Sequence, residues 1–141
     1  MALDKKFGLK KDLKSVTTQL AGLNVELAEQ MILLASQTGD TAPLIGAVNA
    51  LREAQDVYTA ESVPAKNAQV QKALGDTLLT LGRESSDIDA LDSSVQAYRS
   101  AITLASILGD EIMRRDAKKN YAVARRLLEN HVGALDLRGV A

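Results

Sequence analysis

Few side chains in this chain have the means to make or break a covalent bond. Among 141 residues there is one histidine and no cysteine. Thiol chemistry, disulfides and iron–sulfur ligation are therefore excluded. A zinc site would have to rest mostly on carboxylates, which zinc sites seldom do. His131 stands at the expected end of a helical segment, beside Val132 and Gly133. An imidazole there meets the helix C-terminal dipole rather than a substrate. Glu29 and Asp76 occupy equivalent positions in two similar segments and could face each other as the carboxylates of an acid–base site do. Equivalent acids on repeated segments more simply set the charge of a groove. No P-loop, dinucleotide fingerprint, metal-ligand cluster or nucleophile motif is present. The glycines of LGDTLLTLG, residues 74–82, fall inside a helical pattern and cannot cradle a phosphate. The chain reads as a non-enzyme with no cofactor and no metal.

Charge and composition narrow the partners. The net charge is −1, so bulk polyanion binding is not expected. Aromatics make up 3% and tryptophan is absent, which argues against a stacking platform for single-stranded nucleic acid. The near-neutral total hides a pattern. Residues 1–14 hold five lysines against Asp4 and Asp12, residues 15–109 hold five basic and eleven acidic side chains, and residues 110–131 hold six basic and four acidic ones. Basic ends flank an acidic middle. No apolar run approaches the ~20 residues that span a bilayer, and no apolar stretch follows the N-terminal lysines as it does in a secretory signal. A cytoplasmic protein is expected. Starting at Met1, the chain reads as a full product or as the N-terminal part of one.

The elements that must position these residues are helical. Apolar residues recur at three- and four-residue steps nearly throughout. The pattern predicts five helices, over about 10–37, 43–59, 64–83, 87–108 and 111–130. Val16, Leu20, Leu23, Leu27, Met31 and Leu34 share one stripe of the first, and Val70, Leu74, Leu78 and Leu81 point inward from the third. Residues 1–12 read as a basic tail or first helical turn, residues 13–131 as one domain, and residues 132–141 as a C-terminal tail. Sliding the chain by 47 residues lays the first two helices on the next two. Val16, Ala21, Leu27, Leu34, Asp40, Leu44, Val48, Ala50, Arg52 and Ala54 meet identical residues at 63, 68, 74, 81, 87, 91, 95, 97, 99 and 101. A weaker third copy of the first-type helix maps Leu74 to Tyr121 and Leu81 to Leu128. The glycine at 75, inside a helix, points to a close helix crossing.

Residues 74–83, LGDTLLTLGR, followed by SVQAYRSAI at 94–102, resemble a tetratricopeptide (TPR) repeat, with Leu74, Gly75, Ala97, Tyr98 and Ala101 on the family pattern. The 47-residue period resembles a bacterial variant with a long connection between its helices. The first repeat keeps Leu27, Ala28 and Ala54 but has Leu51 where the aromatic belongs. The resemblance implies an all-α fold in which antiparallel hairpins stack as a short right-handed solenoid, A1-B1-A2-B2-A3, with the last helix as a cap. It also implies an adaptor that holds a partner's peptide or helix on the concave face of the A helices. The implied contact residues are Glu29, Ile32, Leu33, Lys72, Asp76, Leu79, Lys119 and Arg126. Val25 and Glu29 stand where the family's carboxylate clamp needs a lysine and an asparagine, so that ligand class is not expected.

Three other surfaces compete. Arg114, Arg115, Lys118, Lys119, Arg125 and Arg126 form one face of the fifth helix, either a solvated cap or a seat for an acidic partner or phosphate. Residues 1–14, with Leu3, Phe7 and Leu13 among lysines, could rest on an anionic membrane, although their apolar side is small. Val16, Leu20 or Val25 on the uncovered side of the first helix could pack on a second copy and give a homodimer.

Overall fold

The computed structural model describes the backbone of residues 2–140 and the side chains of residues 12–133. It is all-α, with five helices and no strand among the described residues: α1 (Ala2–Thr38), α2 (Ala42–Ala60), α3 (Pro64–Ser85), α4 (Ile88–Leu108) and α5 (Glu111–Val140). The connections are two or three residues long, short enough that successive helices fold back on each other. Each connection carries its own stop and start signals. Gly109 adopts φ 71°, a left-handed conformation that ends α4 without a Cβ penalty. Asp110 Oδ1 then accepts the Met113 N–H at 3.1 Å, and Asp87 Oδ1 accepts that of Ala90 at 3.2 Å. Pro64 opens α3, where a missing N–H costs little.

Helices pack mainly in chain order, α1 on α2, α2 on α3, α3 on α4 and α4 on α5, with a further contact between α3 and α5. Two apolar clusters follow. One joins Ala21 and Ala28 of α1 to Leu51, Ala54 and Tyr58 of α2 and to Val70, Leu74 and Leu78 of α3. The other joins Leu79 of α3 to Leu91, Val95 and Tyr98 of α4 and to Ala117 and Ala124 of α5. The second cluster rests on a close approach. A Cβ at position 75 would lie 2.6 Å from the ring of Tyr98, so only glycine lets that fully buried ring lie against α3. The buried Ser94 hydroxyl donates to the Gly75 carbonyl at 2.7 Å and fixes the same crossing.

Two features differ from the sequence pattern. The stripe of Val16, Leu20, Leu23, Leu27 and Leu34 on α1 is exposed. The buried face of that helix is Ala21, Ala28 and Ala35, small enough to bring α2 close. The terminal helices are also longer than the pattern indicates. α1 begins at Ala2, and α5 passes the expected end near Asn130 and runs to Val140. Gly133 alone costs about 1 kcal/mol in a helix, and Ala134, Leu135 and Leu137 after it are good helix formers. His131 consequently lies within α5 and not at its end.

Gly22 of α1 and Gly75 of α3 make a paired test. Gly22→Ala meets open space and gains helix propensity, so the melting temperature should rise. Gly75→Ala gains the same roughly 1 kcal/mol but must displace a locked ring at a cost of about 1–3 kcal/mol. Thermal melts should show Gly75→Ala lowered by a few degrees. An unchanged or raised value would mean that the ring yields.

Candidate binding cleft

α1 and α3 stand apart along one side of the molecule and leave a cleft of about 590 Å³. Its α1 wall is Ile32, Ala35 and Ser36, and its α3 wall is Ala73, Asp76, Thr77, Thr80 and Glu84. Leu44 of α2 and the turn at Gly39–Thr41 close the end. Ala35, Leu44 and Thr77 are buried and make an apolar floor, whereas Ser36, Asp40, Thr80 and Glu84 are exposed at the rim. A second hollow of about 380 Å³ continues between the same two helices. It shares Ala73 and is lined by Gly22, Val25, Glu26 and Glu29 of α1, Tyr58 of α2, and Lys66, Gln69 and Val70 of α3. Together they form a trough with an apolar base and acids along its edges. Glu26, Glu29, Asp40, Asp76 and Glu84 line it, against Lys66 as the one basic lining residue among the described residues.

Asp76 is the most constrained of these acids. Its Oδ1 accepts from the Tyr98 hydroxyl of α4 and, at 3.1 Å, from Asn120 Nδ2 of α5. Its Oδ2 accepts from Lys72 Nζ at 3.0 Å. One carboxylate thereby joins α3, α4 and α5, and its charge is answered within the protein. Burial, with the facing Asp76 carboxylate, pushes the Tyr98 phenol well above its ordinary value of 10.0. Elsewhere on the α4–α5 contact, Tyr121 accepts from Arg99 Nε at 3.3 Å. That contact holds the Tyr121 phenol below its ordinary value.

The structure sorts the residues expected to bind. Ile32 and Asp76 line the first part of the trough, and Glu29 the second. Lys72 is spent on Asp76. Leu79 is buried in the α3–α4–α5 core and has no surface to offer, because Leu91, Val95 and Tyr98 cover it. Leu33 is exposed on α1, and Lys119 and Arg126 are exposed on α5. On the basic face, Arg114 pairs with Glu111 at 3.3 Å and Arg125 with Glu129 at 2.9 Å. Arg115, Lys118, Lys119 and Arg126 form no ion pair among the described residues. The side chains of Leu3, Phe7 and the first four lysines lie outside the described residues. No cluster of three potential metal ligands occurs among the described residues, and no described helix is long and apolar enough to cross a membrane. Sequence reasoning missed Asn120, the rim residues Ser36, Thr80 and Glu84, and the internal use of Asp76. Only the aromatic–acid pair Tyr98 and Asp76, one on each helix of a hairpin, hinted at that last feature.

Comparison with protein-family models, with characterised proteins and with solved structures returns no match.

The Asp76 junction sets a measurable stability. Tyr98→Phe removes one hydrogen bond to a charged acceptor that keeps two other donors, and should cost about 1.5 kcal/mol in urea unfolding. Asp76→Ala leaves the buried hydroxyl unanswered and should cost more, about 3 kcal/mol. The phenol's raised value fixes the pH dependence as well. The stability it supplies is whole below pH 10.0, where both states are protonated. Above that pH the unfolded chain releases the proton first, so stability falls. Comparing the pH profiles of wild type and Tyr98→Phe between pH 8 and 11 should show a steeper alkaline loss in wild type. Parallel profiles would contradict the linkage.

Proposed function

We infer that the protein is a non-enzymatic adaptor, with the five helices arranged as a short right-handed TPR-like solenoid and a partner segment held in the trough between α1 and α3. The observation that carries the reading is the trough itself: an open, apolar-floored channel between two helices, with acids along its rim. The helix order is compatible with stacked hairpins in its second half, where α3 touches α2, α4 and α5, while α1 and α3 stand apart. The Gly75–Tyr98 contact supports the solenoid, because two of the five residues that carry the family resemblance meet at the crossing of one hairpin. A partner suited to the trough is a peptide or helix with one apolar side and basic residues beside it. Apolar burial would supply affinity, and the acids would set orientation and encounter rate. The protein would act in the cytoplasm, by bringing that partner to another.

The test has to spare Asp76, whose replacement would unfasten three helices. Ser36→Arg with Thr80→Arg fills the cleft from both walls at exposed positions. Arg115→Glu with Lys118→Glu reverses the basic face and leaves the trough open. In affinity capture, the first pair should abolish recovery of a protein partner and the second should retain it, both with unchanged helicity. Loss confined to the second pair would move the function to α5.

A further inference from the structure

We propose that a small organic acid binds at a second site, where α2, α3 and α4 meet, with its carboxylate on Arg52 and its remaining polar groups on Gln71, Ser93 and Ser100. A hollow of about 200 Å³ lies there. It is roughly 130° around α3 from the trough. Arg52 and Gln55 of α2, Gln71 of α3, and Ser93 and Ser100 of α4 line it, over Leu74 and Leu78. None of those five polar side chains forms a hydrogen bond or an ion pair among the described residues. Their neighbours do: Gln96 Nε2 donates to Asp92 at 3.0 Å, and the Ser94 hydroxyl to the Gly75 carbonyl. Gln71 matters most. It is only 7% exposed, and its side chain lines this hollow and an adjoining one. In that adjoining hollow Asn67 Oδ1 is likewise buried without a partner. A buried amide left unanswered lowers stability, and a ligand that answers it removes that cost.

The internal repeat supplies an independent comparison. Arg99 stands 47 residues after Arg52, and Tyr121 stands 47 residues after Leu74. Between α4 and α5 the later pair is closed. Arg99 lies over the Tyr121 ring, 5.8 Å from its centre, and its Nε donates to the Tyr121 hydroxyl at 3.3 Å. Between α2 and α3 a leucine takes the place of the tyrosine. Arg52 therefore has neither the ring nor the oxygen that its counterpart uses, and the hollow lies open between Arg52 and Leu74. A ligand oxygen would restore there what the second repeat builds from its own side chain.

Charge and size select the ligand. No acidic residue lines the hollow among the described residues. Asp87 and Asp89 share the next hollow along with Arg52, but Asp87 caps α4 and neither pairs with the guanidinium. A carboxylate answers a lone guanidinium in charge and in its flat, two-oxygen face. A phosphate would bring up to two negative charges to a single cation. Two glutamine amides and two serine hydroxyls both donate and accept, so they suit a hydroxyl or an amide elsewhere on the acid. The volume falls below the ~300 Å³ at which pockets begin to hold drug-sized molecules, and so fits an acid of about amino-acid size.

Nuclear magnetic resonance titration of the isotope-labelled full chain tests the site, with lactate and N-acetylglutamine as probes and lactamide as the uncharged control. At least one acid should shift the side-chain amides of Gln55 and Gln71 and the backbone amides of Ser93 and Ser100, saturating by about 10 mM, and lactamide should shift none. Arg52→Gln, at an exposed position, should weaken binding about tenfold or more with helicity unchanged. Gln71→Met should also weaken it, while raising the melting temperature because an unanswered amide is gone. No saturable shift from either acid, equal binding by Arg52→Gln, or a lowered melt for Gln71→Met would overturn the proposal. Inorganic phosphate bound as tightly as the acids would overturn the carboxylate assignment. Tighter binding of a capped Ala-Glu-Ala tripeptide would overturn a free acid as the occupant.

Discussion

The carboxylate of Asp76 holds the second half of this protein together. It sits on the middle helix and receives Tyr98 from α4, Asn120 from α5 and Lys72 from its own helix. For that hydroxyl to arrive, the tyrosine ring must lie flat against α3, and for the ring to lie there position 75 must have no side chain. One polar contact and one glycine thus fix how three helices cross. The α3 wall of the trough inherits its rigidity from this junction, since Ala73, Thr77 and Thr80 project from the helix that the junction clamps. A groove on a clamped helix is pre-organised, and less of the binding energy is lost to ordering it.

α1 plays a different part. It packs on α2 through Ala21 and Ala28, one heptad apart, with Met31 against Gly46. One side of it forms the near wall of the trough, and the opposite side presents a leucine stripe. The two walls of the trough are thereby held by unlike means, α3 through a polar junction and α1 through small-residue packing.

Much of this architecture is legible in the sequence, and the reasons are local. Five helices and their turns follow from the three-four periodicity, from Gly39 and Gly109, and from Asp87 and Asp110 as caps, all of which act within a few residues. Gly75 signals a close crossing because glycine is costly in a helix without one. The side of α1 is where reading fails. A stripe of leucines and a stripe of alanines run along the same helix, and periodicity alone favours the larger residues as core. Close approach of α2 decides for the alanines, and only tertiary structure reveals that. Leu79 is misread for a related reason, since a position facing a groove in the family pattern is roofed here by Tyr98 and Leu91. Asp76 looks like a free acid until a tyrosine and an asparagine from two other helices converge on it. The rim residues Ser36, Thr80 and Glu84 carry no chemical signature, because what makes them a site is the gap between two helices.

The central claim is that the trough between α1 and α3 is where a partner sits. A photo-cross-linking amino acid placed at Thr80, on the exposed rim, and separately at Arg115, on α5, tests it in the cells that make the protein. The account predicts a discrete heavier adduct from position 80, whose partner peptide carries an apolar side flanked by lysine or arginine, and none from position 115. An adduct from position 115 with position 80 silent would contradict it.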